Sequence, residues 1–225
     1  SHDEILGVIF DYIFFYSRVY MESAVHLCKT MIKSYSEVKS ITVRIPNYRG
    51  FHVRPSTLIA KIVAHYGSTV KMYLNGMEYN AGAPLDLFRA NEEINAMKRR
   101  YIGDVLQKKA DFNRTVPEEW EECRRELQML FLQLVNQEEI IIYDMNLPFE
   151  DLEAEEGETL TELASRFVKH FLSLGKLDVN SDFTVTFTGD NRALNDLKIL
   201  ADSGYGEDTY GNNIVLPEEL AYLRR

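Results

Sequence analysis

The residue types best suited to chemistry sit in one short run, Gly50-Phe51-His52-Val53-Arg54-Pro55. A proline is at home in the first turn of a helix, so Pro55 marks a helix start and places His52 just ahead of it. Backbone N–H groups at such an end have no carbonyl to bond and point outward with partial positive charge, which makes the end a ready anion site. A neutral imidazole held there keeps a nucleophilic nitrogen available near neutral pH. Once that nitrogen carries a phosphoryl group, the same N–H groups receive its negative charge. Arg54 adds a permanent cation whose planar fork suits phosphate oxygens. Gly50 permits a tight approach of the loop. Ser56 and Thr57 offer hydroxyls at the same end, where they serve either the anion or ordinary capping.

The surrounding pattern supplies elements to hold this run. Ile41, Val43 and Ile45 alternate with polar residues and predict a strand that ends at Pro46-Asn47. After the loop, Leu58, Ile59, Ile62, Val63 and Tyr66 form one apolar stripe of a helix that Gly67 closes. Val70, Met72 and Leu74 alternate again, and Asn75-Gly76 is a strong hairpin signal leading to a second arm, Met77 to Asn80. Ala83 to Phe88 predicts a short helix. Further helices are expected over Glu92 to Lys109, from Pro117 onward with Trp120 in the apolar core, and over Thr159 to Leu174, with Gly175 as the stop. Phe183, Val185 and Phe187 alternate with threonines and predict another strand, followed by a helix from Arg192 to Asp202. Ile140 to Tyr143 is an alternative source of that last strand. A helix start at Pro217-Glu218-Glu219 closes the chain.

The motif and this order of elements resemble the HPr family, the histidine phosphocarriers of the bacterial sugar phosphotransferase system. The family's Gly-x-His-x-Arg-Pro is matched at Gly50, His52, Arg54 and Pro55. Asn75-Gly76 and Asn80-Ala81 fall where the family has its hairpin and the entry to its short helix. The resemblance implies an α+β fold, an open-faced β-sandwich of order β-α-β-β-α-β-α, here joined to a helical subdomain. It implies a cytoplasmic phosphocarrier that accepts a phosphoryl group on His52 from an enzyme I-like phosphodonor and passes it to an acceptor protein. It also implies docking through Leu85 and Phe88, and no metal or organic cofactor. The regulatory serine of many family members falls at Ala83, so that control is expected to be absent. The resemblance is strong over Ser40 to Phe88, weaker over Phe183 to Asp202, and absent elsewhere. A chain that keeps the fold but transfers nothing, and binds a partner through its helices, is the competing expectation.

Four parts are therefore expected: an N-terminal helical segment over 1–39, a split HPr-like domain over 40–90 plus 181–203, a helical insertion over 91–180, and a tail over 204–225. The net charge of -10 argues against nucleic acid as a partner. Ile5 to Tyr20 is apolar but interrupted by Asp11 and Arg18, which argues against membrane insertion, and no basic leader precedes it. Asp3 to Val38 predicts one helix, or two with a break near Ser17 or Glu22. The opening Ser1-His2 reads as a remnant of cloning or excision. Cys28 and Cys123 stand alone and predict reduced, buried thiols. His26, His65 and His170 lack a second ligand at useful spacing and read as ordinary helix residues. The acidic stretch Pro148 to Glu158 reads as a solvated loop, and Gly204-Tyr205-Gly206 lacks the Lys-Ser/Thr of a phosphate loop. The oligomeric state is left open by the pattern.

Overall fold

The computed structural model describes residues 2–34, 36–144, 146–149 and 153–224. It is a mixed α+β structure organised around two hydrophobic cores. The first is covered on one side by a four-stranded antiparallel sheet of order β1-β6-β2-β3. Its strands are β1 (Val38–Arg44), β2 (Val70–Leu74), β3 (Met77–Asn80) and β6 (Thr184–Asp190). β6 lies in the middle, pairing Ile41 with Phe187 on one side and Met72 with Phe187 on the other. Alternation along β6 explains its position. Val185 and Phe187 point into the core, while Thr186 and Thr188 meet the hydroxyls of Thr42 and Ser40 on the open face. Gly189 is required beside β2, since a Cβ there would stand 2.7 Å from the Thr69 carbonyl oxygen.

Three helices cover the inner face of this sheet: α3 (Val53–Tyr66), the first half of α4 (Pro84–Gln107) and α7 (Asn191–Asp202). Leu58, Ile59, Ile62 and Val63 of α3 are buried, each contributing on the order of 1.5–3 kcal/mol by leaving water. Gly67 closes α3 in the left-handed conformation with φ 57°, and its N–H returns to Ala64 and Val63. Asp190 opens α7 by accepting from the Arg192 N–H, and the Arg192 guanidinium beside it holds its carboxyl below the usual range.

The second core is built from the far half of α4, α5 (Trp120–Asn136), α6 (Leu160–Leu174) and a two-stranded sheet of β4 (Ile140–Ile142) and β5 (Leu177–Val179). α6 begins with a capping box in which Thr159 and Glu162 each satisfy the other's backbone N–H. It ends at Gly175 with φ 67°.

Several boundaries depart from the sequence pattern. The N-terminal segment is helical without a break at Ser17 or Glu22: α1 (His2–Val8), a π-helical stretch (Ile9–Phe14) and α2 (Phe15–Ser34) follow directly. Arg18 and Glu22 form an i,i+4 ion pair of 2.8 Å across the expected break. The short helix over Ala83–Phe88 and the helix from Glu92 are one helix, α4. No Gly or Pro separates them, and the buried stripe Leu87, Ala90, Ile94, Lys98, Ile102 and Leu106 runs through both. α3 starts at Val53, so Pro55 is its third residue rather than its first. α5 starts at Trp120, because the segment before it is tied to the α6 approach by a Thr115–Thr159 bridge. Ile140–Ile142 pairs with β5 and leaves the last place in the main sheet to β6. Phe149 lies within the acidic stretch expected to be solvated, yet it is buried against Phe131, Phe167 and Phe171. The tail forms a 3-10 turn, Glu218–Arg224, that buries Leu220 and Leu223. Cys123 is buried, but Cys28 is exposed on α2. Among the described residues no helix is long and apolar enough to cross a membrane.

Candidate functional site

The loop between β1 and α3 holds its shape through a side-chain amide. Asn91 of α4 accepts from the Phe51 N–H at 2.9 Å and donates to the Arg49 carbonyl at 3.1 Å. This clamp requires Gly50, whose φ is +61° and whose added Cβ would stand 2.2 Å from the Asn91 side-chain oxygen. Gly50→Ala therefore combines backbone strain with loss of the clamp. It is expected to destabilise the fold by roughly 2–4 kcal/mol, read as a lowered midpoint of urea unfolding relative to Asn91→Ala alone.

His52 is the N-cap of α3, with φ -75° and ψ -168°, and its side chain makes no capping bond. Its carbonyl accepts the first helical bond, from the Ser56 N–H. The amides of Val53 and Arg54 precede that bond, and Pro55 has none, so two outward N–H groups remain at this helix end. The imidazole lies between two acceptors. Nδ1 is 3.1 Å from the Gly50 carbonyl, and Nε2 is 3.0 and 3.2 Å from the carboxylate oxygens of Glu207. A neutral ring has one N–H and serves one of the two. The Gly50 carbonyl already accepts from the backbone N–H of His52 at 2.9 Å. Glu207, with its side chain only 8% exposed, has the greater need of the ring proton. Tyr48 lies edge-on against the imidazole, with ring centroids 5.4 Å apart.

The remaining site residues foreseen from sequence are divided between this helix end and the protein interior. Arg54 is adjacent to His52, and its Nε donates to the Gly206 carbonyl at 3.2 Å and lies 4.0 Å from Glu207. Pro55 is buried in the first turn. Ser56 is fully buried, and its hydroxyl donates to the Phe51 carbonyl at 2.9 Å, so it braces the loop rather than facing an anion. The Thr57 hydroxyl donates back along the helix to the Val53 carbonyl at 2.7 Å. Leu85 is 70% exposed and Phe88 is half-buried on the first turns of α4. Ala83 is the N-cap of α4 and offers no hydroxyl there.

The tail supplies what the sequence reading missed. Tyr205 is buried in a left-handed conformation, φ 59°, with its hydroxyl donating to the Arg44 carbonyl at 2.7 Å and its ring edge-on to Phe51. Burial pushes that hydroxyl far above the usual tyrosine range. The anchored turn delivers Glu207 to His52 from 155 positions downstream in the sequence. It also lays Gly211 on the Tyr48 ring, where a Cβ would stand 2.5 Å from a ring carbon. The Gly/Tyr-rich composition from Gly204 onward signals a turn, but no local pattern links that turn to His52.

On its other side the site meets the helical part. A cavity of about 320 Å³ opens beside His52, lined by Arg49 of the loop, Asn91, Asn95 and Arg99 of α4, and Ser173 and Asp178 at the α6–β5 end. Asp178 is a structural hub. One carboxylate oxygen accepts from the Arg49 N–H at 3.0 Å, and the other pairs with buried Lys98 at 2.6 Å. Comparison of the chain with protein-family models, with curated proteins and with solved structures found no match in any of the three.

Proposed function

We propose that His52 is a phosphoryl-accepting histidine and that the chain is an HPr-like phosphocarrier, fed by an enzyme I-like donor and discharged to an acceptor protein. The observation that carries this reading is His52 at the α3 N-cap, with its side chain unused for capping and one ring nitrogen on the carboxylate of Glu207. The fold supports it: a sheet of order β1-β6-β2-β3, open on one face and covered by helices on the other, agrees with the open-faced β-sandwich expected of that family.

In this reading the roles fall as follows. Glu207 accepts from Nε2–H, which leaves the lone pair on Nδ1, the nitrogen on the side of the Gly50–Val53 backbone. A modest rotation takes Nδ1 off the Gly50 carbonyl. Nδ1 then attacks phosphorus as the donor's phosphorus–nitrogen bond breaks, and the departing electron pair returns to the donor's ring. The Val53 and Arg54 amides and the Arg54 guanidinium receive the phosphoryl oxygens. Positive charge that develops on the imidazole is stabilised by Glu207. No metal or organic cofactor takes part in these steps.

Removing Glu207 tests its positioning role. Glu207→Ala is expected to slow phosphorylation of His52 by ~10- to 100-fold, the equivalent of one hydrogen bond to a charged group. Glu207→Gln, which keeps an acceptor oxygen, is expected to recover part of the rate. A quench-flow time course read by mass spectrometry measures both.

A non-transferring adaptor is the second reading. It is favoured by the crowding of the histidine, whose side chain is 24% exposed between the tail and the α6–β5 wall. The deciding experiment incubates the folded chain with phosphoenolpyruvate and a bacterial enzyme I. Gain of one acid-labile phosphoryl group supports the carrier. Its absence with enzyme I of the same source, under conditions that charge an authentic HPr, rejects the carrier in favour of the adaptor.

A further inference from the structure

We propose that the N-terminal helix is a self-association element, packing against the same helix of a second copy of this chain. α1, the π-helical stretch and α2 together span 33 residues, a rod of about 50 Å. Between Ile5 and Ile32 this rod carries sixteen large apolar side chains that are 39–72% exposed. None of them belongs to either buried core. At roughly 100 Å² of open surface apiece they present roughly 1,600 Å² around the rod, of which about half, roughly 800 Å², faces any one partner, which is what each side of a standard interface brings. A monomer rarely leaves more than a few hundred Å² of contiguous apolar surface in water.

The spacing says what shape covers this surface. Tyr20, Ala24, Leu27 and Met31 follow one another at intervals of four and three, the seam of a helix that packs along another helix. Met21 and Cys28 each follow a seam residue and widen the apolar band where a simple two-stranded coil carries charges. Arg18, Glu22 and His26 lie on the opposite side. From Ile5 to Tyr16 the helix is apolar in every direction except at Asp11, so the change of register in the π-helical stretch still turns an apolar face to a partner.

Self-pairing follows from the same residues. The seam is uniform in character, and two copies of one patch satisfy each other in a closed, self-complementary contact. The positions opposite the seam hold Lys29 and Lys33 beside the paired Arg18 and Glu22, 2.8 Å apart. Cations on that side also suit an anionic bilayer, so it is the seam's spacing and area that favour a second copy, and the vesicle arm of the test separates the two.

Sedimentation velocity on the full chain over a wide concentration range tests the proposal. A single discrete oligomer is expected, with a mass that is a whole multiple of the chain. Leu27→Glu combined with Met31→Glu puts charge into the seam and is expected to raise the dissociation constant by ~100-fold or more. His26→Glu, on the outer side, is expected to leave the mass unchanged. All these positions lie outside both cores, and far-UV circular dichroism checks that each variant is folded. The proposal is overturned by a wild-type chain that is monomeric throughout, by a polydisperse aggregate, or by an oligomer that survives the double substitution. A monomer that binds phosphatidylglycerol vesicles also overturns it and gives the helix to lipid.

Discussion

His52→Ala is expected to take up no phosphoryl group from phosphoenolpyruvate and enzyme I, while the protein stays folded. The ring contributes little to the cores: it touches Tyr48 edge-on and is partly open to solvent. What its loss disturbs is Glu207, a carboxylate 8% exposed that is then left, among the described residues, with the Arg54 guanidinium 4.0 Å away. That disturbance is expected to cost on the order of 1–3 kcal/mol, well short of unfolding a domain of ordinary stability. His52→Gln separates the two effects. Its amide N–H₂ still reaches toward the carboxylate, so stability recovers, but no nucleophilic ring nitrogen is present and phosphorylation stays at zero. An acid-labile adduct on either variant would place the chemistry on another residue and sink the reading of His52.

Asp178→Ala is expected to lower the free energy of unfolding by ~3–5 kcal/mol. The reason is electrostatic. Lys98 and Asp178 are each only 2% exposed, and removal of the carboxylate leaves an ammonium group sealed in the interior without a counter-charge. The same substitution releases the Arg49 N–H, so the damage reaches the His52 loop as well as the second core. Lys98→Met is expected to cost less, because Asp178 keeps the Arg49 and Val179 amides as donors. Urea unfolding of the two variants, followed by the fluorescence of Trp120, orders them. Equal stability of both with the wild type would show the pair to be dispensable.

The sheet and the loop around His52 were readable locally, because their signals are short in range. Alternation around Val43 and Phe187, the Asn75-Gly76 turn and the Gly67 stop each depend on a few neighbouring residues. That Gly50, His52 and Arg54 lie together at the start of α3 was legible for the same reason. What the sequence hid was set by contacts between distant positions. Glu207 reaches His52 only because Tyr205 is pinned beneath β1, and Asp178 meets Lys98 across 80 positions. Ser56 was misplaced because a hydroxyl at a helix start serves an anion or a loop carbonyl equally well until the loop's path is known. β5 went unnoticed because three residues, Leu177–Val179, are too few for alternation to register.

The length of α4 has a consequence for how the molecule melts. One uninterrupted helix gives Leu87, Ala90 and Ile94 to one core and Ile102 and Leu106 to the other, with the Lys98 ion pair between them. Helical order propagates along such a segment, so neither core can come apart without loosening the other's share of it. The chain should therefore behave as one cooperative unit despite its two interiors, with a single calorimetric transition. Its slowest-exchanging amides should lie near the middle of α4, between Ile94 and Ile102, rather than at the centre of either core.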